Sequence, residues 1–194
     1  MTSFRFATQT IVSRLGAVLK RMRATARAGS AGVEFAFIAP VFFLLLMGIM
    51  ENGIIYFAGA TLQNATDDIS RQIRTGQAQA AGMTQAQFRT AICNEIAPLL
   101  ACDTNLQIDV ESYANYTSAG FVPPTDVSGN LKTTLNNYQP GTACDVVLVR
   151  SFYTWQVITP MLSTFLTNIT GGYHLVTATS AFRNEPFVSG VGGC

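Results

Sequence analysis

Few residues in this chain have the types and spacing that chemistry requires. The one histidine, His174, lies in a stretch that alternates like a β-strand, with no serine- or cysteine-centred motif around it. Nucleophilic catalysis needs a base beside its nucleophile, so a surface or core histidine is the better reading. No Cys-x2-Cys or His-x3-His spacing suits zinc, and no glycine-rich phosphate loop follows a strand. The carboxylates are scattered. No catalytic group, cofactor or metal site is expected.

The four cysteines carry redox chemistry instead. Cys93 and Cys102 flank the end of one predicted helix, and a disulfide closing that turn is preferred over two free buried thiols. Cys144 opens a predicted strand and Cys194 is the last residue. A bridge between them would tie Gly190-Val191-Gly192-Gly193 back to the sheet, and the glycines permit it; a mobile tail with a reactive thiol is the competing reading. Disulfides imply an oxidising compartment.

A third group sits at the front of the chain. Ala28-Gly29-Ser30 is a small-residue site behind a basic segment, Glu34 is the fifth residue after Gly29, and Phe35 follows it. Residues 35–50 carry no charge, enough helix for about 24 Å of a hydrocarbon core of about 30 Å. Residues 1–28 hold Arg5, Arg14, Lys20, Arg21, Arg23 and Arg27 with no acid, whereas ten acidic and six basic residues follow Met50, so the net charge of +1 hides a strong asymmetry. Scattered basic residues beside a span read as a topology signal rather than as nucleic-acid binding. By the positive-inside bias the N-terminus is cytoplasmic and the rest exported. A conventional secretory signal, with its cut after Ala58-Gly59-Ala60, is the alternative. Against it stand the long basic region and the polar pair Glu51-Asn52.

The run Gly-Val-Glu-Phe-Ala-Phe-Ile-Ala-Pro at 32–40, then Leu-Leu-Leu-Met-Gly-Ile-Met-Glu-Asn-Gly and Leu-Gln-Asn-Ala, resembles the TadE-like family of pseudopilins of bacterial tight-adherence (Flp-type) pilus systems. The likeness covers about residues 28–75, with a weaker echo at Ala181-Phe182-Arg183-Asn184-Glu185-Pro186. It implies a prepilin-peptidase cut after Gly29, with Ser30, Glu34 and Phe35 completing the site. It implies a non-enzymatic minor pseudopilin in the bacterial inner membrane, assisting initiation or assembly of the pilus. The implied partners are the prepilin peptidase, a second pseudopilin, the inner-membrane assembly platform and the filament, besides the lipid bilayer. In a bacterial protein the glycosylation-like triplets at Asn64, Asn115 and Asn168 are coincidental. A signal-anchored periplasmic enzyme or ligand-binding domain is the alternative from another class.

The elements that position these groups follow from periodicity. The chain divides into a basic leader (1–29), a membrane helix (30–57), its extension (58–76) and a head (77–194). Ala58, Leu62, Ala65, Ile69 and Ile73 form one apolar stripe, Asp67 and Arg71 stand four apart, and Gly76 is a stop. Pro40 favours a kink in the span. Gln77–Gly82 reads as a linker. Thr84 and Gln87 form a capping box with Met83 and Phe88 as its staple; Phe88, Ile92 and Ile96 face inward, and Pro98 limits the helix. A half-exposed strand is predicted over 105–116 and a long loop over 117–141, with one helical turn near 131–135. A central strand over 145–156 follows. Thr159 and Pro160 open a helix with Met161, Leu162, Phe165, Leu166 and Ile169 on its apolar side, ended by Gly171-Gly172. The last strand spans 173–183. The fold class is α+β: a long transmembrane helix continuing into a small periplasmic head whose short antiparallel sheet is backed by helices.

Overall fold

The computed structural model describes residues 3–97, 99–102, 104–120, 122–159, 161–187 and 194, with side chains of the first helix described from Ser30 onward. Pro98, Pro160 and the tail glycines at 190, 192 and 193 lie outside the described residues. Helix α1 runs Ser3–Arg74, so the basic leader is helical in backbone, and α1 passes through Pro40. The chain divides into two compact units at Met47 and Gly48.

The first unit is the helix up to Met47, and its apolar side chains are bare: Phe35, Phe37, Ile38 and Val41 are all exposed. Soluble monomers rarely expose so large an apolar face, which marks a membrane or protein contact. Among the described residues, α1 is the one helix long and apolar enough to cross a membrane.

The second unit holds the rest of α1 and an α+β head. After α1 come α2 (Gln77–Ala80), α3 (Gln85–Ile96), β1 (Leu106–Tyr113), a 3-10 turn (Tyr116–Ser118), β2 (Val146–Gln156), α4 (Ser163–Leu166) and β3 (Tyr173–Arg183). The three strands form one antiparallel sheet in the order β1-β2-β3. One face of it packs on helices. Ala58, Leu62, Ala65, Ile69 and Ile73 are all buried, and they meet Phe88, Ile92 and Ile96 of α3 and Val147, Val149 and Tyr153 of β2 in a single core. The other face lies under the 117–141 loop, where Leu135 and Leu131 pack with Phe152 and Leu175.

Local chemistry sets the element ends. Gly76 stops α1 with φ +78°, and a Cβ there would come within 2.4 Å of the Phe187 ring, so conformation and packing both demand glycine. The Arg74 carbonyl, freed by that stop, accepts the Glu185 N–H at 2.9 Å. Thr84 caps α3 with a complete capping box. Cys93–Cys102 and Cys144–Cys194 are both bridged, with Cα atoms 5.6 and 5.3 Å apart.

Five expectations are corrected. The 77–82 linker contains the helical turn α2, and residues 133–134 form a plain turn, the helical turn of this loop falling at Tyr116–Ser118. Asp67 accepts from Gln63 one turn earlier, at 2.9 Å, and no ion pair joins it to Arg71 among the described residues. The first strand is half-exposed at Gln107 and Glu111 but not at Asp109, which the loop covers and buries completely. The helix expected from Thr159 shrinks to the single turn α4, with Leu162 rather than Thr159 at its N-cap. Met161 adopts φ +66°, which a helix does not accommodate. Met161 and Phe165 consequently stand exposed.

Candidate functional site

At the front of the described side chains, Gly29 is helical in backbone and the Ser30 hydroxyl donates to Glu34 Oε1 at 2.9 Å, one helical turn away. Ser30, Glu34 and Phe35 are all exposed. Sequence spacing alone brings these groups together, because i and i+4 share a helix face.

Glu51, the residue that ends the uncharged run, is 5% exposed. Its carboxylate accepts the backbone N–H of Ile158 at 2.5 Å and of Thr159 at 2.8 Å. An acid at this place in the sequence looks like an interruption of the span. In the structure it fastens the β2–β3 connection to α1, and two backbone amides that α4 leaves unused are satisfied by one side chain. Glu51→Leu should leave both donors unpaired, at about 1–3 kcal/mol for the buried Thr159 N–H and less for the part-buried Ile158 N–H, while Glu51→Gln should retain one oxygen and lose less. Urea unfolding of the full chain in mild detergent, with limited proteolysis across residues 157–166, measures the difference. Equal stability of the Leu and Gln variants would contradict the clamp.

His174 stands at the rim of an open groove of about 940 Å³ between residues 49–63 of α1 and the start of β3. Its Nδ1–H donates to the Leu166 carbonyl at 2.6 Å. The groove is lined by Tyr56, Gly59, Gln63, Asn168 and Val176 among others, with no carboxylate, serine or cysteine. His174 therefore holds the end of α4 through the Leu166 carbonyl. Among the described residues no cluster of His, Cys, Asp and Glu could hold a metal ion.

The outer edge of β3 is covered by amide side chains. Gln63 donates to the Thr179 carbonyl and accepts its N–H, both at 3.1 Å, and Asn168 treats Leu175 in the same way at 3.2 and 2.6 Å. Each carboxamide replaces one residue of a neighbouring strand, which blunts an edge that would otherwise template pairing.

On the loop-covered face, Arg150 and Asp109 stand opposite each other across β1 and β2. The guanidinium reaches Asp109 Oδ2 through Nε at 3.2 Å and Nη2 at 2.5 Å, and donates through Nη1 to the Val122 carbonyl at 2.8 Å. Asp109 Oδ1 accepts the Asn137 N–H at 3.1 Å. Glu111 flanks the pair, accepting from Asn137 and from the Tyr113 hydroxyl. Burial, and then that bond to a carboxylate, pushes the Tyr113 hydroxyl above its ordinary value. This network was not anticipated. The available signal was a lone arginine inside the run Val146–Phe152, since a charge in a central strand needs a partner.

Residues 29–71 match the TadE-like protein family model. The TadE-like segment thus begins at Gly29 and ends one turn before α1 does; the weaker likeness at Ala181–Pro186 lies outside it. No curated protein and no solved structure matches the chain. The match supports involvement in a tight-adherence pilus system. With one long apolar helix, the TadE-like segment is consistent with a single membrane anchor. Everything distinctive in the head, including the Asp109–Arg150 network and both disulfides, lies beyond it.

Proposed function

We propose that this chain is a membrane-anchored minor pseudopilin that assists initiation or assembly of a tight-adherence pilus. Its N-terminus is cytoplasmic, α1 crosses the inner membrane once, and the head stands in the periplasm. A prepilin peptidase removes residues 1–29 between Gly29 and Ser30. The mature chain then works with a second pseudopilin, the inner-membrane assembly platform and the filament.

The observation that carries this reading is the TadE-like match over 29–71, laid on a helix whose apolar side chains are bare where the match begins. The basic leader and the acid-rich head supply the orientation. Cleavage after Ala60 fits poorly. It would strip Ile55 and Ala58 from the head's core and remove Glu51 from the Ile158 and Thr159 amides.

Intact-mass analysis and N-terminal sequencing of protein purified from the native host test the reading. A mature chain beginning at Ser30 is expected. Recovery of the chain with its leader attached would overturn the pseudopilin reading, and a chain beginning at Thr61 would support a secretory signal instead.

A further inference from the structure

Residues 157–172, which connect β2 to β3, carry no charged side chain. Three of their large apolar residues point away from the core: Ile158 is 74% exposed, Met161 78% and Phe165 82%. The connection is nevertheless held firmly at one level of α1. Leu162 Cδ1 would lie 2.5 Å from a Cβ added at Gly48, and Glu51 binds the amides of Ile158 and Thr159. These attachment points straddle the end of the uncharged run at Met50.

That level matters because the run is short. Sixteen helical residues cover about 24 Å, several ångströms less than the hydrocarbon thickness of about 30 Å. The next residues of α1, Glu51 and Asn52, cannot supply apolar surface. The β2–β3 connection supplies it at the same height. It also shields the Glu51 carboxylate, which would be costly facing lipid without a partner.

We propose that this connection is a membrane-dipping foot: Ile158, Met161 and Phe165 enter the leaflet on the head's side, seating the head on the bilayer. The proposal rests on the reading that α1 spans a membrane. The occupant is lipid rather than protein because the connection is fastened to α1 at the end of its uncharged run, at Gly48 and Glu51, and because no charge interrupts residues 157–172. Interfacial segments of this kind bury their apolar side chains at the boundary between headgroups and acyl chains.

Single-tryptophan variants of the full chain, in a Trp155→Phe background, test this in vesicles of phosphatidylethanolamine and phosphatidylglycerol containing brominated phosphatidylcholine. Phe42→Trp reports the span, Phe165→Trp the foot, and Val127→Trp, on a fully exposed loop residue, the background. Bromolipid should cut the fluorescence of the first two by roughly twofold or more, as for rings held about 5–10 Å into the interface or deeper. The third should be unchanged. If Phe165→Trp behaves like Val127→Trp while Phe42→Trp is quenched, the foot is overturned, the span stands, and the apolar surface is left to a protein partner. An unquenched Phe42→Trp overturns the span and the foot together. Carbene labelling of the wild-type chain from a diazirine phosphatidylcholine gives the same reading without substitution. Adducts on the peptide carrying Met161 and Phe165, as well as on the span, are expected; adducts on the span alone overturn the proposal.

Discussion

Asp109→Ala should destabilise the head by about 3–5 kcal/mol, the usual result of removing one partner from a buried ion pair. Both charges are almost completely enclosed, Arg150 at 1% and Asp109 at 0% exposure. With Asp109 gone, the guanidinium keeps the Val122 carbonyl at 2.8 Å and faces Glu111 Oε1 only at 3.9 Å. The Asn137 N–H also loses its acceptor, which loosens the strip of loop that bonds to β1 through Val110. Small domains are stable by about 5–15 kcal/mol in total, so the variant should be marginal at ambient temperature. Replacing both partners, Asp109→Leu with Arg150→Met, should recover most of the loss, because the desolvation cost of the pair disappears with the charges. Urea midpoints of the full chain in mild detergent, for wild type and the single and double variants, decide it. A single variant within about 1 kcal/mol of wild type would mean that another group neutralises Arg150.

That same pair marks where sequence reading stopped. Leu106, Ile108 and Val110 alternate with polar residues, and alternation ordinarily means that the polar side meets water. Here the polar side meets the 117–141 loop, whose low periodicity gives no hint that it closes over a sheet. Local signals were legible wherever local chemistry decides the outcome. The capping box at Thr84 and Gln87, the glycine stop at Gly76 and the apolar stripe from Ala58 to Ile73 each depend on neighbours within a few residues. The expectation at Thr159 failed. Thr-Pro is a sound helix opening by itself, yet Met161 adopts φ +66°, which breaks a helix two residues after Thr159. The Ser30–Glu34 hydrogen bond was legible because residues four apart share one helix face. The Glu51 clamp was not, because it exists only once the head folds back on α1.

Gly29→Phe should abolish maturation, and with it surface pili. A peptidase that cuts beside the cytoplasmic edge of the bilayer must draw the backbone between residues 29 and 30 close to its catalytic groups, and glycine presents no side chain to obstruct that approach. A phenyl ring at 29 would block it, so the variant should accumulate with its leader attached while wild type begins at Ser30. Glu34 enters at the next step. In the uncut chain the Ser30 hydroxyl donates to its carboxylate at 2.9 Å. Cleavage would place a new α-amino group on Ser30, one turn from Glu34 and able to meet it or the Glu34 of a neighbouring subunit. An ionised acid near lipid requires such a partner. Glu34→Ala should therefore be cut normally and still fail to support pili, separating processing from assembly. Mass spectrometry of each variant, with electron microscopy of the same cells, reads both outcomes. Normal maturation of Gly29→Phe would show that the cut lies elsewhere, and full piliation with Glu34→Ala would remove the amine–carboxylate pairing from the mechanism.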